Sequence, residues 1–151
     1  MNPYIINGDQ IDVSELYNLI KEARPVSLGQ DVYQKIILNR QYLESRVSDP
    51  DSVIYGINTG FGSLCNIQIS NENLEKLQEN LVLSHACGMG DLVPEYLCKL
   101  IHLLKIFNLS HGCSGVRVEL VQKLIDLYNA GITPVIYQMG SLGASGDLAP
   151  L

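Results

Sequence analysis

Apolar residues recur along most of this chain at intervals of three and four, the repeat of a helix with one buried face. Ser14 can cap a first helix, whose apolar positions Leu16, Leu19 and Ile20 share one side. Ser27-Leu28-Gly29-Gln30 fits a capping box opening a longer helix, with Val32, Ile36, Leu43 and Val47 inward and an end near Asp49-Pro50. The helical repeat then breaks. Val53-Ile54-Tyr55 reads as strand-like, and Gly56-Ile57-Asn58-Thr59-Gly60-Phe61-Gly62 as a glycine-rich loop. After Ser70 the helical period returns, with Leu74, Leu77, Leu81 and His85 on one stripe and a stop at Gly88-Met89-Gly90. Pro94 suits the first turn of an apolar helix reaching about Leu109. A further helix runs from about Val116 to Tyr128 and stops at Asn129-Ala130-Gly131, and Thr133 to Tyr137 form a short extended piece. The expected fold is mainly α with a few short strands.

Composition narrows the function classes. With 151 residues, 46% hydrophobic and 17% charged, the chain can bury a real core. Its net charge of −6 lacks the basic footprint of a nucleic-acid binder, and no apolar run is long enough to span a bilayer. The N-terminus has no basic stretch ahead of an apolar one, so a cytoplasmic location is expected. Four cysteines at wide, irregular intervals (Cys65, Cys87, Cys98, Cys113) form no Cys-x-x-Cys pair and no zinc spacing. Free thiols in a reducing compartment are the expectation. The chain also has no Gly-x-x-x-x-Gly-Lys loop, so neither a metal nor a nucleotide cofactor is expected.

Chemistry concentrates in residues 139 to 151, Met-Gly-Ser-Leu-Gly-Ala-Ser-Gly-Asp-Leu-Ala-Pro-Leu. At its centre Ala144-Ser145-Gly146 are small enough for the backbone to fold back, so that the Gly146 nitrogen can reach the Ala144 carbonyl carbon. Gly146 lacks the Cβ that would crowd this contact. Ring closure with loss of two waters would turn Ser145 into an exocyclic methylidene, an electrophile that no ordinary side chain supplies. Ala-Ser-Gly alone is a common turn. The longer string Gly-Ser-Leu-Gly-Ala-Ser-Gly-Asp-Leu-Ala-Pro-Leu resembles the signature of the aromatic amino acid lyases. This resemblance implies that Ala144, Ser145 and Gly146 become 4-methylidene-imidazole-5-one autocatalytically. A helix starting just after the ring would aim its positive end at it, and Asp147 could cap that helix as readily as act in catalysis.

Two more segments extend the resemblance. Tyr55 to Gly62 resembles a second signature of the family, whose tyrosine is the catalytic acid/base on a mobile loop. Gly56, Gly60 and Gly62 would be its hinges. Read without the resemblance, Tyr55 is a half-buried packing residue. A phenol titrates near ~10, so it needs a positive neighbour or a lowered pKa to act as a base. Asn80 to Gly90 resembles the segment lining the ring-binding pocket, and its Ser84-His85 pair resembles the histidine-specific branch. An imidazole substrate carries polar ring nitrogens that need partners once buried, and His85 can provide one where a leucine could not. Without the resemblance, a histidine on an apolar stripe is a core residue. Ser110 to Arg117 resembles a third family segment, in which Ser114 reads first as a helix cap. His111 stands where an arginine or lysine is usual in the histidine branch and receives no catalytic role. His102 lies along a helix with no partner that the sequence names.

The likeness runs over essentially all 151 residues, yet family members are several hundred residues long. Residues 1–151 therefore read as the N-terminal portion of an ammonia-lyase, with the C-terminal helical bundle absent. Leu148 and Leu151 have little within the chain to pack against. The resemblance implies a homotetramer acting on L-histidine to give urocanate and ammonia, with active sites assembled from more than one subunit. The isolated chain is expected to be inactive. Two alternatives stay open: another lyase or aminomutase of the same family acting on tyrosine or phenylalanine, or a truncated helical relative whose Ser145 never cyclises.

Overall fold

The computed structural model describes residues 1–49, 52–60, 65 and 67–140. The chain divides into two compact units. The first comprises residues 1–43 and 93–135, and the second residues 44–92 with the segment that begins at Ile136.

The first unit starts with β1 (Tyr4–Ile6), α1 (Val13–Lys21) and β2 (Val26–Leu28). β1 and β2 pair in parallel, with Tyr4 opposite Val26 and Ile6 opposite Leu28. A parallel pair needs a crossover, and α1 provides it. α2 (Gln30–Val47) follows, its last turn belonging to the second unit. After residues 44–92 come α4 (Glu95–Ser110) and α5 (Val118–Asn129). α4 buries Cys98, His102, Leu103, Ile106, Phe107, Leu109 and Ser110, a stripe wide enough to meet α1 and α5 at once. α5 answers with Val118, Val121 and Ile125. Leu103, Ile106 and Val121 are wholly buried, at the centre of a core that also takes in Ile6, Leu19 and Ile36. The buried Ser110 hydroxyl is satisfied by donating to the Ile106 carbonyl one turn back, at 2.7 Å.

A side chain closes this unit. Asn129, the last residue of α5, brackets the backbone of Val26 in β2. The Val26 N–H donates to Asn129 Oδ1 at 2.8 Å, and Asn129 Nδ2 donates to the Val26 carbonyl at 2.9 Å. The two residues are 103 positions apart.

The second unit contains α3 (Leu74–His85), preceded by a 3₁₀ turn at Asn71–Asn73, then β3 (Met89–Leu92) and β4 (Tyr137–Met139). β3 and β4 form an antiparallel ribbon, with Met89 opposite Met139 and Leu92 opposite Tyr137 and an irregularity between them.

Several local expectations are corrected. The cap of α1 is Asp12 and not Ser14: Asp12 is extended and its carboxylate accepts from the Glu15 N–H at 2.8 Å, which leaves Ser14 inside the first turn. Ser27 lies in β2, so no capping box opens α2. Cross-strand pairing with Ile5 takes that backbone instead. Val53-Ile54-Tyr55 is not a strand, because the chain there enters a turn. Ser114 does not cap α5, which starts at Val118. Gly115 is drawn instead to α2, where its N–H donates to Asn39 Oδ1 at 2.7 Å and its carbonyl accepts from Arg40 at 3.1 Å. Gly88-Met89-Gly90 is more than a helix stop, since Met89 and Gly90 begin β3. Pro94 stands just before α4 as its cap residue.

Candidate active site

Tyr55 opens a turn that the structure builds from two buried polar residues, Asn58 and Thr59. Asn58 holds both sides of the turn. Its Oδ1 accepts from the Ile54 N–H at 2.7 Å, and its Nδ2 donates to the Ser52 carbonyl at 2.7 Å. Its own backbone N–H reaches the Ile54 carbonyl at 3.2 Å. The Thr59 hydroxyl donates to the Gly60 carbonyl at 2.9 Å and accepts from the Gly56 N–H at 3.3 Å. Gly56 takes φ +75°, a value that an L-residue adopts only under strain. Gly60 and Ile69 anchor the far end through backbone bonds to Ile67 and Asn58, beside an isolated bridge between Thr59 and Gln68. Tyr55 rides on this frame with its side chain largely in solvent, 63% exposed. Gly62, the third expected hinge, lies outside the described residues. Asn58 and Thr59 were not singled out from the sequence, although short polar side chains in a glycine-rich run are the usual means of bonding a turn to itself.

Ser84 and His85 occupy the last turn of α3, and the structure brings them together. Leu74, Leu77, Leu81 and His85 are the half-buried positions among the described residues of α3, so the stripe read from the sequence is present, but none of them is fully buried. His85 Nδ1 lies 2.8 Å from the Leu81 carbonyl and 2.9 Å from Ser84 Oγ. A carbonyl can only accept, so Nδ1 carries a proton, and in the neutral imidazole Nε2 is then the acceptor. The Ser84 hydroxyl donates to the same Leu81 carbonyl at 2.9 Å. The pair thus favours the neutral tautomer in which Nε2 is the acceptor.

β3 begins four residues after His85 and pairs with β4. The Cys87 thiol donates to the Gly140 carbonyl, and Gln138 Nε2 donates to the Leu92 carbonyl at 3.3 Å. β4 leads toward Ala144, Ser145, Gly146 and Asp147, which lie outside the described residues. Among the described residues, no group of three or more His, Cys, Asp or Glu side chains could hold a metal ion, and no helix is long and apolar enough to cross a membrane.

The first unit holds a cavity of about 120 Å³, bordered by Lys99, His102, Tyr128 and Asn129 and containing none of the expected site residues. His102 meets Tyr128 edge-on at 6.0 Å, and its buried Nε2 has no hydrogen-bond partner among the described residues. Burial lowers its pKa below the ordinary 6.5, against an opposing contribution from the Leu124 carbonyl.

The chain as a whole has counterparts among known proteins. The chain is 45% identical over 148 residues to the histidine ammonia-lyase of Legionella pneumophila (strain Corby), an alignment covering 98% of this chain and 29% of that protein. Among solved structures, Pantoea agglomerans phenylalanine aminomutase superposes with a TM-score of 0.87 at 35% identity, over 98% of this chain and 28% of that one. Histidine ammonia-lyase from Trypanosoma cruzi superposes with a TM-score of 0.82 at 31% identity, over 99% and 28%. This chain thus spans under a third of the length of these relatives. The family model for aromatic amino acid lyases matches residues 11–151, and with that match the chain belongs to the aromatic amino acid lyase family.

Proposed function

We propose that this chain is the N-terminal portion of a histidine ammonia-lyase, which eliminates ammonia from L-histidine to give urocanate. The observation that carries the reading is the Ser84-His85 pair, whose favoured neutral tautomer presents an acceptor at Nε2. The ring N–H of a histidine substrate is a matching donor, whereas a phenyl ring leaves that acceptor unpaired. The naming of the Legionella relative as a histidine ammonia-lyase supports the same substrate.

The overall change breaks the Cα–N bond and one Cβ–H bond and forms a Cα=Cβ double bond conjugated with the imidazole. Tyr55, as the general base, takes the Cβ proton. Its turn, cross-braced by Asn58 and Thr59, sets where that oxygen stands. His85 holds the substrate ring, and Ser84 holds His85. Gly56, Gly60 and Gly62 let the Tyr55 loop close over the substrate and exclude water. The chemistry of Ala144, Ser145 and Gly146 suits 4-methylidene-imidazole-5-one: a serine to dehydrate between two residues too small to oppose closure. When formed, this group supplies the electrophile that activates the substrate for loss of ammonia. No metal or nucleotide takes part. The complete protein is a cytoplasmic homotetramer, and residues 1–151 alone do not turn over histidine.

The intact mass of the purified chain gives the first test. A deficit of two waters is the expected result, and the sequence mass in the complete protein would refute the assignment of Ser145. Turnover of histidine, tyrosine and phenylalanine by the complete protein, followed through the absorbance of the conjugated product, decides the substrate. Preference for either carbocyclic amino acid would refute the role of His85.

A further inference from the structure

Tyr55 is 63% exposed, so packing does little to hold its ring, and the direction of the phenol is set by the backbone beneath it. That backbone is held on both sides of Tyr55 by side chains. On the N-terminal side, Asn58 accepts from the Ile54 N–H and donates to the Ser52 carbonyl, each at 2.7 Å. On the C-terminal side, the Thr59 hydroxyl accepts from the Gly56 N–H at 3.3 Å, where Gly56 stands at φ +75°. Asn58 and Thr59 are themselves buried, at 3% and 0% exposure, so neither side chain can trade these bonds for water without cost. The Asn58 carbonyl accepts from the Ile69 N–H at 2.8 Å, which ties the frame to the chain that leads into α3. Position 58 needs an acceptor and a donor at the end of one short side chain; alanine there leaves both backbone groups without these partners.

We infer that Asn58 and Thr59 are positioning residues for the elimination: they act on the reaction only through Tyr55, by fixing the peptide units on either side of it and so the direction in which the phenol leaves the backbone. The inference rests on the proposed role of Tyr55 as general base. Proton transfer demands a heavy-atom separation of about 2.6–3.2 Å. The phenol oxygen stands at the end of a long side chain, so a small rotation of the peptide at residue 54 or 56 displaces it far more than the backbone itself moves. A misplacement of about 1 Å costs on the order of 10²-fold in rate. Substrate binding through His85 is set elsewhere, by Leu81 and Ser84 in the last turns of α3. Loss of the frame should therefore lower kcat and leave KM.

The test is a double-mutant cycle in the complete protein, with histidine as substrate and far-UV circular dichroism reporting the fold. Asn58→Ala should lower kcat about 10- to 100-fold, with KM within about threefold of the wild type. In a Tyr55→Phe background the same substitution should change kcat less than about twofold, because the oxygen that it misplaces is gone. A second pair probes the other side of the turn. Thr59→Val keeps the shape, loses the hydroxyl and should lower kcat at least about fivefold, whereas Thr59→Ser keeps the hydroxyl and should stay within about twofold. A wild-type kcat in Asn58→Ala overturns the inference, as does a loss carried by KM. An equal fold-loss with and without the Tyr55 hydroxyl also overturns it, since that is the result for a residue that merely supports the fold. If Asn58→Ala does not fold, Thr59→Val takes its place in the cycle, and the same outcomes decide. Equal kcat in Thr59→Val and Thr59→Ser overturns the part assigned to Thr59. A wild-type kcat in Tyr55→Phe overturns the proposed role of Tyr55 itself, and this inference with it.

Discussion

Asn129→Ala should destabilise the chain far more than the exposure of Asn129 suggests. An exposed polar residue at a helix end changes stability by about 0.5 kcal/mol or less when replaced. Asn129, however, supplies both partners of a backbone unit that is itself buried, since Val26 is 1% exposed. Its amide makes two bonds, at 2.8 and 2.9 Å, to the N–H and carbonyl of that one residue. A net hydrogen bond is worth about 0.5–1.5 kcal/mol, and an orphaned buried group costs about 1–3 kcal/mol. Asn129 also borders the 120 Å³ cavity, from which water can replace part of what is lost. The expected loss is therefore about 2–3 kcal/mol, below the sum of two full desolvation penalties. With a urea slope of about 2 kcal/mol/M, the midpoint should fall by roughly 1–1.5 M. The chain has no tryptophan, so far-UV circular dichroism is the probe. A midpoint within about 0.2 M of the wild type would show that the β2–α5 clamp contributes nothing net, and the account of how the first unit closes would fail.

Three further outcomes are expected. His102 resists protonation when folded, so its contribution is fully present above the unfolded value near 6.5 and is lost as the pH falls from there toward its lowered folded pKa. Unfolding midpoints at pH 7.5 and 5.5 should differ more for the wild type than for His102→Met, and equal differences would refute the assignment. Ile106→Ala, at a wholly buried position, should cost about 2–5 kcal/mol in urea unfolding, whereas Val13→Ala, 82% exposed, should stay within about 0.5 kcal/mol. In the complete protein, Tyr55→Phe should lower kcat about 10²- to 10⁴-fold with the two-water mass deficit unchanged, and a kcat near the wild type would remove Tyr55 from the proton transfer.

The helices were legible because each buries a stripe long enough to impose its period. Leu16 with Leu19, Val32 with Ile36, and Val121 with Ile125 all point inward as their spacing requires. What local pattern could not reveal was pairing over distance. β1 and β2 are three residues each, too short for alternation to register, and they exist because α1 brings Tyr4 beside Val26. The Asn129 clamp depends on a partner 103 residues away. The caps misled for a different reason: Asp12 and Ser14 are both competent, and only the backbone decides between them. In the site, Tyr55, Ser84 and His85 stood out through family resemblance and not through periodicity. Asn58 and Thr59 passed unnoticed because their role is to bond a turn internally.

The split of the first unit across the sequence has a consequence for synthesis. Its opening half ends at Leu43, and its closing half does not begin until Val93. A ribosome adding about 5–20 residues per second makes Val26 some 5–20 s before Asn129. During that interval Leu19, Ile36 and Val26 belong to a nascent chain whose α4 and α5 do not yet exist. The first unit therefore cannot fold in the order in which it is made. Its early half is a client for whatever shields apolar surface at the tunnel exit, and a pause between residues 43 and 93 would lengthen that exposure without altering a single contact of the finished protein.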